Sequence, residues 1–236
     1  MQIISTLRAQ RQSLFRVIFL YAIALAILTF VALQPYVEIS VLTRDSLAIA
    51  DGKFYFGFLS NIGILIWTAA SSICMFTFLL LSNAQQLAGS RSFFLYSSLL
   101  TLFLLLDDLF MMHEKVFPLY LNVNEKIILA LYPIFISSFL LFHRKLILNS
   151  PYLVLLSALG FLGLSMVFDI LFPNQTPAGY LLEDGFKFTG MIGWFYYFLQ
   201  VSFSTLKNNL SATRQVQISI LHKPLVKRNP LRAKAS

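Results

Sequence analysis

The chain has 236 residues, of which 58% are hydrophobic and 12% charged, and its net charge is +8. Soluble domains carry about 45–50% apolar and about 25% charged residues, so this composition excludes a soluble enzyme, a disordered chain, a coiled coil and a disulfide scaffold. Cys74 is the single cysteine and has no internal partner, and the basic excess in so apolar a chain reads as membrane topology, with no nucleic-acid partner expected.

Six stretches reach the roughly 20 apolar residues that a spanning helix needs: residues 14–33, 56–82, 93–112, 126–142, 152–172 and 186–205. None shows the alternation of a barrel strand, which leaves helices as the spanning structure. The sequence therefore predicts an all-α integral membrane protein with six transmembrane helices, segments three to six forming a four-helix bundle. Its organisation would be a basic N-terminus (1–13), a transmembrane domain (14–205) and a basic tail (206–236). Arg8 and Arg11 precede the first stretch and Arg16 lies at its start, as in a signal peptide. Its apolar run exceeds the 7–15 residues of such a core, so a retained anchor helix is expected.

Basic residues set the orientation. With six spans, one side receives Arg8, Arg11, Arg16, Arg91, Arg144, Lys145 and seven residues from Lys207 to Lys234. The opposite side receives Arg44, Lys53, Lys115 and Lys126. That asymmetry predicts a multi-pass protein with both termini cytoplasmic, in a bacterial plasma membrane. The expected partners are the bilayer itself and, for the acid-free tail, anionic lipid.

All ten carboxylates then fall on the outer side: Glu38, Asp45, Asp51, Asp107, Asp108, Glu114, Glu125, Asp169, Glu183 and Asp184. At a rise of 1.5 Å per residue, Asp107 lies about 24 Å past Arg91 and Asp169 about 26 Å past Tyr152. Both sit level, just inside a hydrocarbon core of about 30 Å, and intramembrane acids are functional candidates by default. Glu125, Glu183 and Asp184 open helices in this reading, where the macrodipole favours them. Asp107, Asp108, Glu114 and Asp169 lie near C-terminal ends, where it does not. These four need a cation, a proton or a hydrogen-bond network to compensate them.

The densest string is LDDLFMMHEK, residues 106–115. On a continuous helix Asp107 and Glu114 share one face with Met111 between them, and Asp108 lies near Lys115. Pro118 suggests that the helix ends nearby, which would let His113 swing inward. In LLEDGFKFTGMIGW, residues 181–194, Lys187 either pairs locally with Glu183 and Asp184 or reaches across to Asp107 or Asp169. Gly185, Gly190 and Gly193 permit close helix approach. DDLF followed by NEK, and FDILFP followed by LEDG, form a weak internal echo that supports bringing the acids together.

No phosphate-binding loop, GxSxG turn or HExxH motif occurs. The predicted site is an outward-facing pocket of Asp107, Glu114, Asp169 and His113, with Asp108, Glu183, Asp184 and Lys187 as supporting charges. It would bind a divalent cation or protons, as in a membrane metalloenzyme. Oxygen ligands suit Mg, Mn or Ca, one histidine admits Zn, and Met111 and Met112 admit copper. The competing readings are an ion-coupled transporter, with Ser71, Ser72, Ser137 and Ser138 lining its path, and a non-catalytic assembly subunit. No catalytic residue is assigned.

Overall fold

The structure, a computed structural model, describes residues 18, 21–23, 25–43, 46–81, 88–171 and 176–221, without the side chains of 88, 177, 178 and 212–221. The expected basic N-terminus (1–13), Asp45 and the end of the tail (222–236) lie outside the described residues. The chain divides into two compact units, Met1–Phe58 and Leu59–Ser236.

The first unit is helical over 25–33, followed by the short helices Ile39–Thr43 and Ser46–Ile49. Pro35 disfavours helical geometry at Gln34 and ends the first of these. The Gln34 Oε1 then accepts the backbone N–H groups of Tyr36 and Val37, both at 2.9 Å, which fixes the turn.

Five long helices build the second unit: α1 (Phe58–Leu80), α2 (Ala88–Phe110), α3 (Glu125–Phe142), α4 (Tyr152–Leu171) and α5 (Pro177–Leu221). The described residues contain no strand. Among the described residues, four helices are long and apolar enough to cross a membrane, namely α1, α2 from Gly89, α3 and α4. The 45-residue α5 contains the sixth predicted stretch but runs past it at both ends, absorbing the first residues of the expected tail. Glycine, serine, threonine, tyrosine and Gln200 dilute its apolar middle.

The core gathers Trp67, Ala70 and Cys74 of α1 with Phe93 and Phe94 of α2, Phe139 of α3, Leu155 and Ala158 of α4, and Trp194 and Phe198 of α5. The expected four-helix bundle of segments three to six is thus incomplete, because α1 fills the same core. Hydrogen bonds reinforce its seams. Ser71 and Ser98 each donate a hydroxyl to the other's backbone carbonyl at 3.0 Å, joining α1 to α2. Trp194 Nε1 donates to Thr101 Oγ1 at 3.0 Å, joining α5 to α2. These pairs hold helices together where apolar surfaces alone give little preference.

Close approach does the same between α4 and α5. A Cβ at Gly190 would sit 2.7 Å from Leu162 Cγ and 3.0 Å from the Ala158 carbonyl oxygen, and one at Gly193 would sit 3.0 Å from Ala158 Cβ. Gly63 lets α1 approach Met191 of α5 equally closely. Gly185, expected to act likewise, has nothing within 4 Å of a Cβ position. His143 is buried among the rings of Phe93, Tyr96, Phe139 and Phe142. Burial pushes its imidazole below the ordinary value, which suits a neutral packing residue.

Candidate acid–base cavity

The site begins where α2 stops. Met111 adopts a left-handed conformation (φ 48°, ψ 47°), uncommon for a residue with a side chain. A π-helical turn follows over Met112–Val116, then the short helix Phe117–Tyr120 with Pro118 in its first turn. This reversal carries His113 back over the last turn of α2. Its backbone N–H donates to Asp107 Oδ1 at 2.9 Å, and its Nδ1 lies 2.7 Å from Asp107 Oδ2. Asp107 is only 6% exposed. The macrodipole disfavours a carboxylate here, and the two contacts from His113 offset that.

The Asp107 carboxylate sets the histidine's chemistry. A carboxylate at Nδ1 keeps the neutral ring's proton there, leaving the Nε2 lone pair free to accept another. Nε2 lies 3.7 Å from Glu114 Oε1. Burial alone would push the imidazole down, and the Lys187 charge adds to that. The hydrogen bond and charge of Asp107, with the charge of Glu114, outweigh both and hold it above its ordinary value. Tyr132 of α3 presents its ring edge-on to His113, centroids 6.1 Å apart. Its buried hydroxyl approaches the Asp107 carboxylate without closing a well-formed hydrogen bond.

One residue along α2, Asp108 Oδ1 accepts the ammonium of Lys187 from α5. The Asp108 side chain is nine-tenths buried, and its Oδ2 has no hydrogen-bond partner. Both pairs open onto a cavity of about 690 Å³. Asp107, Asp108, His113, Glu114, Asp169, Glu183 and Lys187 all line it, as do Lys115 and Glu125. Leu104, Leu129, Pro133, Ile136, Leu162 and Met166 supply apolar walls, and Trp67 contributes an indole whose Nε1 is buried without a partner.

Seven of the eight predicted site residues therefore reach one cavity, and Asp184 is the one outside its lining. Their pairing differs from the sequence expectation in three respects. Asp107 and Glu114 do not share a helix face, because α2 ends at Phe110 before Glu114 is reached. Asp108 is neutralised by Lys187 across the helix interface and not by Lys115, and Lys187 reaches neither Asp107 nor Asp169. Glu183 and Asp184 do not open a helix either, since α5 starts at Pro177. Among the described residues, no three His, Cys, Asp or Glu side chains are grouped to hold a metal ion. Met111 and Met112 do not line the cavity. Of the four serines proposed for a path, only Ser137 does so, while Ser71 is clasped to Ser98.

Trp67 and Tyr132 were not assigned to the site from sequence. A tyrosine beside Pro133 within an apolar helix was the available signal. Proline has no N–H to offer the carbonyl four residues back, here that of Leu129, so α3 carries a locally polar backbone where it borders the cavity.

The Asp108–Lys187 pair predicts an asymmetric double-mutant cycle. Lys187→Met leaves a buried carboxylate with neither oxygen paired and should destabilise by about 1–3 kcal/mol. Adding Asp108→Asn should recover part of that loss, as read by denaturant unfolding in detergent.

A family model described as "Domain of unknown function (DUF8692)" matches residues 17–201, a range that contains the whole cavity lining. Comparison with curated proteins gives no match, and neither does comparison with solved structures.

Proposed function

The chain belongs to the DUF8692 family, and on the geometry of its cavity we propose a multi-pass membrane protein with an outward-facing proton-exchange site at His113 and Asp107. The observation that carries this reading is the two-point grip of Asp107 on His113, through Oδ1 to the backbone N–H and Oδ2 to Nδ1. That grip orients the ring, fixes its tautomer and leaves Nε2 at the cavity to take and release a proton. Protons fit better than a divalent ion, because two of the acids are already matched by Lys187 and His113 and the described residues group no three ligands. The chemistry supports proton uptake, whether for transport or for acid–base catalysis on a bound molecule.

Membrane insertion is supported by the four long apolar helices and by the side chains they leave outside. Leu65, Phe76, Phe142 and Leu153 are all 60% or more exposed, and so much apolar surface is unfavourable in water. For the proposed six-span topology, outside labelling in a Cys74-free background should modify a cysteine placed at Thr176 and spare one at Asn209. The reverse pattern would move the site to the cytoplasmic face.

The proton site predicts a signed pH dependence. His113 holds its proton more tightly folded than unfolded, so its contribution to stability is complete below the ordinary value of 6.5. It fades as pH rises through the higher folded value. Asp107 acts on the imidazole from α2, Glu114 from its own turn and Lys187 from α5, with the Tyr132 ring of α3 edge-on to it and Asp108 lining the same cavity. Unfolding measured from pH 5 to 9 should show wild type losing stability relative to His113→Gln on the alkaline side. A constant difference between the two across that range would reject the proton site. Stabilisation of wild type by Mg²⁺, Mn²⁺ or Zn²⁺ that Asp107→Asn abolishes would favour the metal reading.

A further inference from the structure

The ends of α2 and α3 opposite the acids carry a second, separate arrangement. Between the two helices runs an apolar groove of about 430 Å³, walled by Tyr96, Leu99 and Phe103 of α2 and by Phe135, Phe139 and Phe142 of α3. Tyr96, Leu99 and Phe135 are half-exposed along it, and Phe142 is 85% exposed. Where α3 stops, the groove meets a more polar cavity of about 1010 Å³, and Phe142 and His143 line both. Arg144 and Lys145 border this cavity with Ser90, Asn149, Ser204 and Thr205, and among the described residues no acid lines it. Gly89 and Ser90 in that lining belong to the first turn of α2, the positive end of its macrodipole.

His143 sits at the junction. It is 8% exposed, and its ring packs on those of Phe93, Tyr96, Phe139 and Phe142. Among the described residues its ring nitrogens have no hydrogen-bond partner, yet neither is sealed from the surface as Trp67 Nε1 and Ser202 Oγ are. A neutral imidazole keeps one N–H to donate, and a donor this deeply buried calls for an acceptor.

The order along this path is a pair of cations, a buried N–H donor and an apolar groove. A diacyl phospholipid has the complementary order of phosphate, ester carbonyl and acyl chain. We infer that this site binds an anionic phospholipid, with its phosphate at Arg144 and Lys145, an ester carbonyl accepting from His143 and one acyl chain in the groove between α2 and α3. Basic pockets between membrane helices hold such head groups. A free phosphate would leave the groove empty, and a lipid without net charge would leave the two cations unmatched. The inference rests on the membrane insertion proposed above but not on the proton site, which lies at the other end of α2.

The test is binding to purified full-length protein in detergent, read as the shift in Tm and as lipid retained in native mass spectrometry. The probes are dioleoylphosphatidylglycerol, dioleoylphosphatidylcholine and glycerol phosphate. The anionic lipid should be retained and raise Tm, with phosphatidylcholine at least about tenfold weaker and glycerol phosphate without effect. Arg144→Gln combined with Lys145→Gln should weaken the anionic lipid about tenfold. Lys227→Gln combined with Arg228→Gln removes the same charge from the tail and should weaken it less than about twofold. Ser138 is an exposed residue of the groove, so Ser138→Phe fills that space without altering charge and should weaken the lipid about fivefold. His143→Phe should weaken it about threefold, and the variants at exposed positions keep the inference falsifiable if His143→Phe does not fold. Equal binding of phosphatidylcholine would overturn it, as would glycerol phosphate raising Tm as the lipid does. A loss on changing Lys227 and Arg228 that Ser138→Phe does not share would also overturn it. Outside labelling at Thr176 and the His113 pH profile are read separately, so absence of lipid binding with both intact would remove this site alone.

Discussion

Replacing Asp107 with alanine should destabilise the protein by about 3–5 kcal/mol, the range for breaking a buried pair by removing one partner. The effect is large because one carboxylate serves two donors from His113, which is itself held in place by the unusual backbone at Met111. With the acceptor gone, the His113 N–H and Nδ1 lose their partners, and the reversal after α2 loses its anchor. Asp107→Asn keeps the shape and one acceptor, and should cost about 1–3 kcal/mol. It should also remove the alkaline fall in stability, since the charge holding the imidazole proton is absent. Urea or SDS unfolding of both variants at pH 6 and pH 8.5 separates the two effects. An alanine variant as stable as wild type would show that the dyad does not organise the cavity.

The second large effect is expected at Gly190. Alanine there places a Cβ 2.7 Å from Leu162 Cγ and 3.0 Å from a backbone oxygen of Ala158 that cannot move without shifting α4. Overpacking of this kind costs about 1–3 kcal/mol, and a larger side chain should prevent α4 and α5 from docking. Gly185→Ala, five residues earlier on the same helix and with open space at its Cβ, should be neutral or stabilise by up to about 1 kcal/mol through helix propensity. The opposite signs of two chemically identical substitutions test the α4–α5 interface independently of the acids. Their consequences also reach the site, since α4 carries Asp169 and α5 carries Lys187.

The all-helical character was legible in the sequence because long uninterrupted apolar runs leave the chain no other regular structure that satisfies its backbone. Segments two to five became α1 to α4 within a few residues of their expected bounds, apart from the start of α2, which falls five residues early. The sixth stretch was harder to delimit. Hydropathy marks where a chain is apolar and not where a helix stops, and α5 continues through the polar residues on both sides. That the acids gather was also legible, from equal depth counted at a fixed rise per residue. Depth ranks residues along the helices, however, and carries no information about rotation around them once a helix breaks.

Which charge meets which was decided only by the tertiary structure. Met111 turns the chain through a left-handed conformation that nothing in its side chain announces, and this single reversal replaces the expected Asp107–Glu114 face with the Asp107–His113 pair. Lys187 lies within one turn of two acids on its own helix, yet pairs with Asp108 79 residues away in the chain. Residue spacing reports neighbours along one helix, whereas a long lysine side chain follows the nearest buried, unmatched charge, wherever packing has put it. Trp67 and Tyr132 reach the cavity for the same reason. Composition and periodicity determined that there would be helices and a layer of acids, and helix packing determined that the layer would enclose a histidine gripped at two points by Asp107.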